Sequence, residues 1–277
     1  MYAVDLEALP WQDASVNTRS MPLHRKVVRE GELLPGVGYT SRSLKFGAGA
    51  DAFTTPRHHH EFAQVRYTLR GSQDFGRGFV LPQGWVSFFP TGAYYGPQRV
   101  DSAESFQIQW SPVWVTHQQT MDAIASLQAQ GGRFEKGIFS IEDEGGHTKR
   151  KDAVNAVWEA VYGRELVIPE PQYSTPIMIN PAAFKWRSYL DGLSVKTLGH
   201  FSDEDLGLSA IRWDSRRSLE LPLGRTQVLL CTEGSFSVNG TSYPKHSLVW
   251  SDWDESVDVT APEGSEVLRF EFAELDS

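Results

Sequence analysis

PRHHHEFAQVRYTLRG, residues 56–71, carries three of the chain's eight histidines in a row and leads them into an alternating apolar–polar segment. A strand sends successive side chains to opposite faces. Read as a regular strand, the stretch puts His58, His60, Phe62, Gln64 and Arg66 on one face and turns His59 and Glu61 away. Two imidazoles and an amide oxygen on one face are half of a metal site, since imidazole suits iron, zinc, copper and nickel. A satisfied polar patch on a strand uses the same residues. Arg66 has two readings as well: a guanidinium that clamps a carboxylate bidentately, or one arm of a structural salt bridge.

Outward from this stretch the chain reads as short strands broken by Gly and Pro: YTSRSLKF at 39–46, QVRYTLRG at 64–71, WVSFFP at 85–90 and SFQIQW at 105–110. Aromatic residues are dense here, as in half-buried sheet. In SFQIQW, Gln107 and Gln109 share one face and Phe106, Ile108 and Trp110 the other, and either set is able to line a cavity. Helical spacing follows at 115–132 and 151–164, each closed by Gly. HTKRKD at 147–152 reads as a solvated loop or a helix start, and PEPQYSTPIMINP at 169–181 as an extended linker. Six strand-like segments fill the stretch from 193 onward, ending with EVLRFEFAEL at 266–275. Gln64-Val65 with LRGS ending at Ser72 recurs as Gln227-Val228 with TEGS ending at Ser235, an offset of 163 residues in both cases. A repeat this long points to domain duplication rather than a solenoid.

Two spacings here resemble those of the cupin family. His58-His59-His60, three residues, Gln64, six residues and Gly71 follow its first motif. Gly84-WVSFF-Pro90-Thr91-Gly92-Ala93-Tyr94-Tyr95 follows its second. Gln64 stands where the family has Glu, and Tyr95 where it has the last His. The resemblance implies an all-β fold of two tandem cupin barrels (jelly rolls) with a short helical insert between them. It places His58, His60, Gln64 and Tyr95 at a divalent metal, Fe(II) foremost, with Zn, Mn or Ni as alternatives. Gln is a weaker donor than Glu, and a phenol must lose a proton of pKa about 10 to become a phenolate ligand. Tyr95 is therefore read either as a ligand or as a catalytic acid or base beside a two-histidine metal, with Arg66 as its catalytic companion. Arg66, Tyr94, Gln107 and Gln109 are the substrate-pocket candidates; a one-residue slip exchanges Tyr94 and Tyr95. The same template puts Leu221 and Leu223 at the histidine positions of the second copy, which therefore lacks metal ligands.

The expected organisation is an N-terminal arm at 1–36, a first barrel at 37–114 with the site, an insert and linker at 115–192, and a degenerate second barrel at 193–277. The insert is a candidate lid, with Trp158, Tyr162, Tyr173 and Phe184 as its aromatic residues. A net charge of −9 and the lack of a basic patch argue against a nucleic-acid partner. No apolar run approaches the roughly 18 residues of a membrane span. The N-terminal stretch has no basic region of the kind that opens a signal peptide. One cysteine, Cys231, suits a reducing cytoplasm. The function expected is that of a metal-dependent enzyme acting on a small organic molecule, with a carboxylate as the candidate class. Its chemistry is then of dioxygenase or isomerase/lyase type, in a chain able to form a homodimer. The alternatives are a non-catalytic small-molecule-binding or sensor protein with a decayed metal site, and a storage protein.

Overall fold

The computed structural model describes residues 1–14, 18, 22–76, 78–202 and 204–273. The last two residues of the segment read as EVLRFEFAEL, and parts of the expected N-terminal arm, lie outside them. Antiparallel strands dominate, with two α-helices among the described residues. No helix there is long and apolar enough to cross a membrane.

The repeat seen at an offset of 163 residues is a repeat of topology. One seven-stranded sheet runs in the order Ile177–Ile179, Val86–Phe89, Ala63–Arg70, Glu104–Ser111, Val37–Phe46, Leu23–Leu34, Gln12–Asp13. The other runs Tyr2–Asp5, Ser247–Ser251, Arg225–Glu233, Glu266–Ala273, Leu206–Trp213, Leu193–Phe201, Arg187–Leu190. Each has a four-stranded companion of matching order: Phe53–Thr55, Gln98–Val100, Ser72–Asp74, Val80–Pro82 in the first copy, and Arg217–Leu221, Val257–Ala261, Ser235–Val238, Thr241–Pro244 in the second. Gln64 and Gln227 occupy the same register, each on the central strand between two antiparallel neighbours.

The two compact units are not contiguous in sequence. One comprises 1–10, 30–38 and 179–277; the other comprises 11–29 and 39–178. The start of the chain is therefore not simply an arm leading into the first barrel. Tyr2–Asp5 pairs with Ser247–Ser251, and Leu6, 2% exposed, donates its N–H to His246 O at 3.2 Å. The reason is edge satisfaction: Ser247–Ser251 would otherwise present a row of unpaired backbone groups.

The second barrel holds an apolar core. Trp213, Leu219, Leu221, Leu229, Phe236 and Val249 pack together. Leu221, where the first copy has His58, is fully buried, while Leu223, where it has His60, is exposed. Cys231 lies in this core as a small hydrophobe, its thiol pushed up to about 12 by burial.

Residues 115–178 of the insert and linker belong to the first-barrel unit, and 179–192 to the other. The insert's helices, α1 (His117–Ala129) and α2 (Ala153–Tyr162), start where capping chemistry permits: Thr116 and Gln119 form a capping box, and Asp152 accepts from Val154 N at 2.8 Å. α2 stops at Gly163, in the left-handed region at φ 64°. HTKRKD departs from the loop or helix-start expectation. Thr148–Asp152 is a strand paired with Ile138–Glu142, exposed except at Asp152. Strand alternation is invisible in a segment whose faces both meet water.

Leu6→Ala should cost about 2–5 kcal/mol of stability, the usual range for a buried leucine, read from chemical denaturation. A loss under about 0.5 kcal/mol, the size of an ordinary surface substitution, would show that the N-terminal residues do not belong to this core.

Candidate functional site

The two motif stretches are pinned together by backbone. His58 and Tyr95 form an antiparallel bridge: His58 N–H donates to Tyr95 O, and Tyr95 N–H to His58 O, both at 3.0 Å. Gly92 N–H donates to His60 O at 2.9 Å. The turn needs glycine at 92, because φ is +80° and a Cβ there would run into Pro169 O. The regular strand begins only at Ala63, so bridge and turn, rather than unbroken alternation, set the histidines. His58, His60 and Tyr95 are buried at 5%, 7% and 4% exposure.

This bridge decides between the two tyrosines. Tyr94 faces out: it is 43% exposed, stacks on His59 with ring centroids 3.9 Å apart, and has the Arg57 guanidinium 4.5 Å from its ring centre. Tyr94 is therefore not a pocket residue, contrary to the sequence reading, because the bridge turns Tyr95 inward and leaves its neighbour outside.

Register then lays out the polar interior in rows across three strands. Phe89, Gln64 and Gln109 form one row, Ser87, Arg66 and Gln107 the next, and Thr68 with Ser105 continues the face. The glutamines of SFQIQW thus share the face of Gln64 and Arg66, and Phe106, Ile108 and Trp110 take the other. Gln64 is the node. Its Oε1 accepts from Arg66 Nε and from Gln109 Nε2, both at 3.1 Å, and its Nε2 donates to Tyr95 Oη at 3.0 Å. The opposite amide orientation would set its NH2 against two donors. Arg42 Nη2 donates to Gln109 Oε1 and extends the chain. The Arg66 guanidinium lies 5.0 Å from the Phe89 ring centre, 5.1 Å from Phe75 and 6.0 Å from Tyr95, distances at which cation–π attraction operates.

On the imidazole side, His58 Nδ1–H donates to Pro56 O at 2.7 Å, which places the ring's lone pair on Nε2. The His58 and His60 rings are 4.9 Å apart, edge to face, and His60 stacks on Phe62 at 4.4 Å. Phe62 meets Trp114 edge-on at 5.8 Å, and Trp114 O accepts from Tyr162 Oη at 3.0 Å. Burial raises the Tyr162 pKa, with Glu61 adding to the effect. Of the expected lid aromatics, Tyr162 is thus linked to His60 through two rings. Trp158 is buried against Tyr162. Tyr173 packs on Phe88, on the opposite face of the sheet from Gln64. Phe184 lies in the other compact unit.

These residues do not fit a divalent metal. Among the described residues no group of three His, Cys, Asp or Glu is placed to hold one, and no Asp or Glu is buried. The lone pairs of Gln64 Oε1 already serve two donors. Beyond the two imidazoles the expected set offers only the Tyr95 phenol, which would have to lose a proton of pKa about 10 to ligate. Arg66 adds an opposing charge, its guanidinium lying 6.0 Å from the Tyr95 ring centre, and like charges repel.

Arg42, Ser87, Phe75 and Phe89 were not singled out from sequence. Ser87 was legible as the polar residue between Val86 and Phe88; nothing local marks Arg42, whose partner is 67 residues away.

No protein-family model and no curated protein matches the sequence. Solved structures match it in fold. A candidate dioxygenase from Nostoc punctiforme superposes over 100% of this chain and 84% of its own, with TM-score 0.63 and 13% identity. Oxalate decarboxylase from Bacillus subtilis, studied for its Mn(II) centres, matches over 99% of this chain and 77% of its own, with TM-score 0.53 and 12% identity. The E. coli protein Ylba matches over 99% and 91%, with TM-score 0.54 and 9% identity. The protein has the bicupin fold. At these identities the likeness is one of fold, and the chemistry of this bicupin is argued from its own residues.

Gln64→Glu would set a carboxylate between Arg66 and Tyr95. Manganese affinity of that variant, measured by titration calorimetry, should exceed wild type by about tenfold or more, the effect of some 1.4 kcal/mol. Equal affinity would show that the amide is not what keeps metal out.

Proposed function

We propose that the first barrel of this bicupin binds a small organic carboxylate without a metal. The observation that carries the reading is the row Ser87–Arg66–Gln107. Arg66 is a buried cation, 7% exposed, whose flanking atoms Ser87 Oγ and Gln107 Oε1 are buried with no hydrogen-bond partner among the described residues. Each such orphan costs about 1–3 kcal/mol unless something satisfies it. A carboxylate on the guanidinium would be met by the Ser87 hydroxyl as donor, and Gln107 Oε1 would accept from a donor on the same molecule. The chemistry selected is a carboxylate with a hydroxyl or amino group nearby. His58, His60 and Tyr95 are the proton-exchanging groups of the same interior. The reading is that of a small-molecule-binding or sensor bicupin.

A metal-dependent reading, as an iron dioxygenase or an isomerase/lyase, draws on one observation: the His58 bond to Pro56 O is the kind of second contact that orients an imidazole ligand. Against it stand the occupied Gln64 oxygen and the Arg66 charge.

A panel of hydroxy and amino acids, screened by thermal shift on metal-stripped protein, should contain at least one that raises the melting temperature. At a hundredfold excess over Kd the gain is about 2.7 kcal/mol. The shift should survive EDTA and vanish in Arg66→Gln. A shift seen only after a divalent metal is added back, or one retained in Arg66→Gln, would overturn the reading.

A further inference from the structure

We infer that the polar end of the second barrel is a separate binding site that recognises a carboxamide through Gln227. The inference is independent of the first barrel. Gln227 shares its strand face with Leu229 and Cys231 of the apolar core, so its side chain belongs to the barrel interior. It is fully buried, and both Oε1 and Nε2 lack a hydrogen-bond partner among the described residues. The contrast with the equivalent Gln64, which makes three bonds, is direct. An isosteric apolar side chain would avoid the penalty of two orphaned atoms, about 1–3 kcal/mol each.

The surroundings are polar and self-neutralised. Across the strands, Gln227 lies in register with Ser251 on one side and Glu271 on the other. Glu271 receives Arg225 at 2.8 Å and Arg269 at 3.6 Å. Arg269 Nε also donates to Ser209 Oγ at 3.0 Å, and Ser209 is in register with Thr197. Thr197 lines an open cavity of about 550 Å3 together with Ala183, Phe184, Lys185 and Arg187. The cavity thus lies on the same sheet face as Gln227: Thr197 is in register with Ser209, Ser209 with Arg269, and Arg269 pairs with Glu271, the cross-strand neighbour of Gln227. Because Glu271 and the arginines pair with one another, the site does not call for a charged group at Gln227. What complements an amide presenting one acceptor and one donor is another amide, bound through two antiparallel hydrogen bonds.

The test is a titration of 15N-labelled full-length protein with acetamide, following the Gln227 side-chain NH2 pair identified by its loss in Gln227→Met. The expected result is a saturable shift of that pair. Backbone signals of Ser251 and Glu271 should respond to acetamide in wild type and about tenfold more weakly in Gln227→Met. If Gln227→Met does not fold, Gln227→Glu, which lacks the donor, is read in the same way. A non-saturable response, an equal response in the variant, or crystals soaked in acetamide that show only an ordered water on Gln227 would overturn the inference.

Discussion

The first barrel depends on how one buried amide is spent. Gln64 accepts from Arg66 and Gln109 and donates to Tyr95, so a single side chain fixes the guanidinium, the neighbouring strand and the inward phenol. A carboxylate at this position would attract a cation. The neutral amide instead tolerates a permanent positive charge 3.1 Å away. With Arg66 in the interior, the electrostatics favour an anion over a dication beside it, which is the basis of the proposed carboxylate site.

The duplicated topology allows the two interiors to be compared directly. The two copies keep the same sheet order and the same central glutamine, but their interiors are filled differently. The second copy replaces His58 with Leu221 and gains a continuous apolar core. Burial of those hydrophobic side chains stabilises the second copy by itself.

Much of this was legible in the sequence where the signal is local. Period-two alternation in QVRYTLRG and SFQIQW marked the strands, and the paired spacings marked the two stretches that the His58–Tyr95 bridge brings together. What was not legible depended on contacts remote in sequence. Nothing local says that Tyr2–Asp5 pairs with Ser247–Ser251, or that Arg42 reaches Gln109. Alternation could not choose between Tyr94 and Tyr95; the backbone bridge to His58 does. Exposed charge hid the strand at Thr148–Asp152. The Gln64 network was half visible: the sequence showed an amide where a carboxylate was expected, but not the two donors that use its oxygen.

The most direct measurement is anomalous diffraction at the iron, manganese and zinc edges from crystals grown with an excess of a hydroxy acid that stabilises the protein. The account predicts no anomalous peak beside His58 and His60, and a carboxylate density seated on the Arg66 guanidinium between Ser87 and Gln107. A metal peak within bonding distance of both imidazoles, with Gln64 turned to meet it, would contradict it.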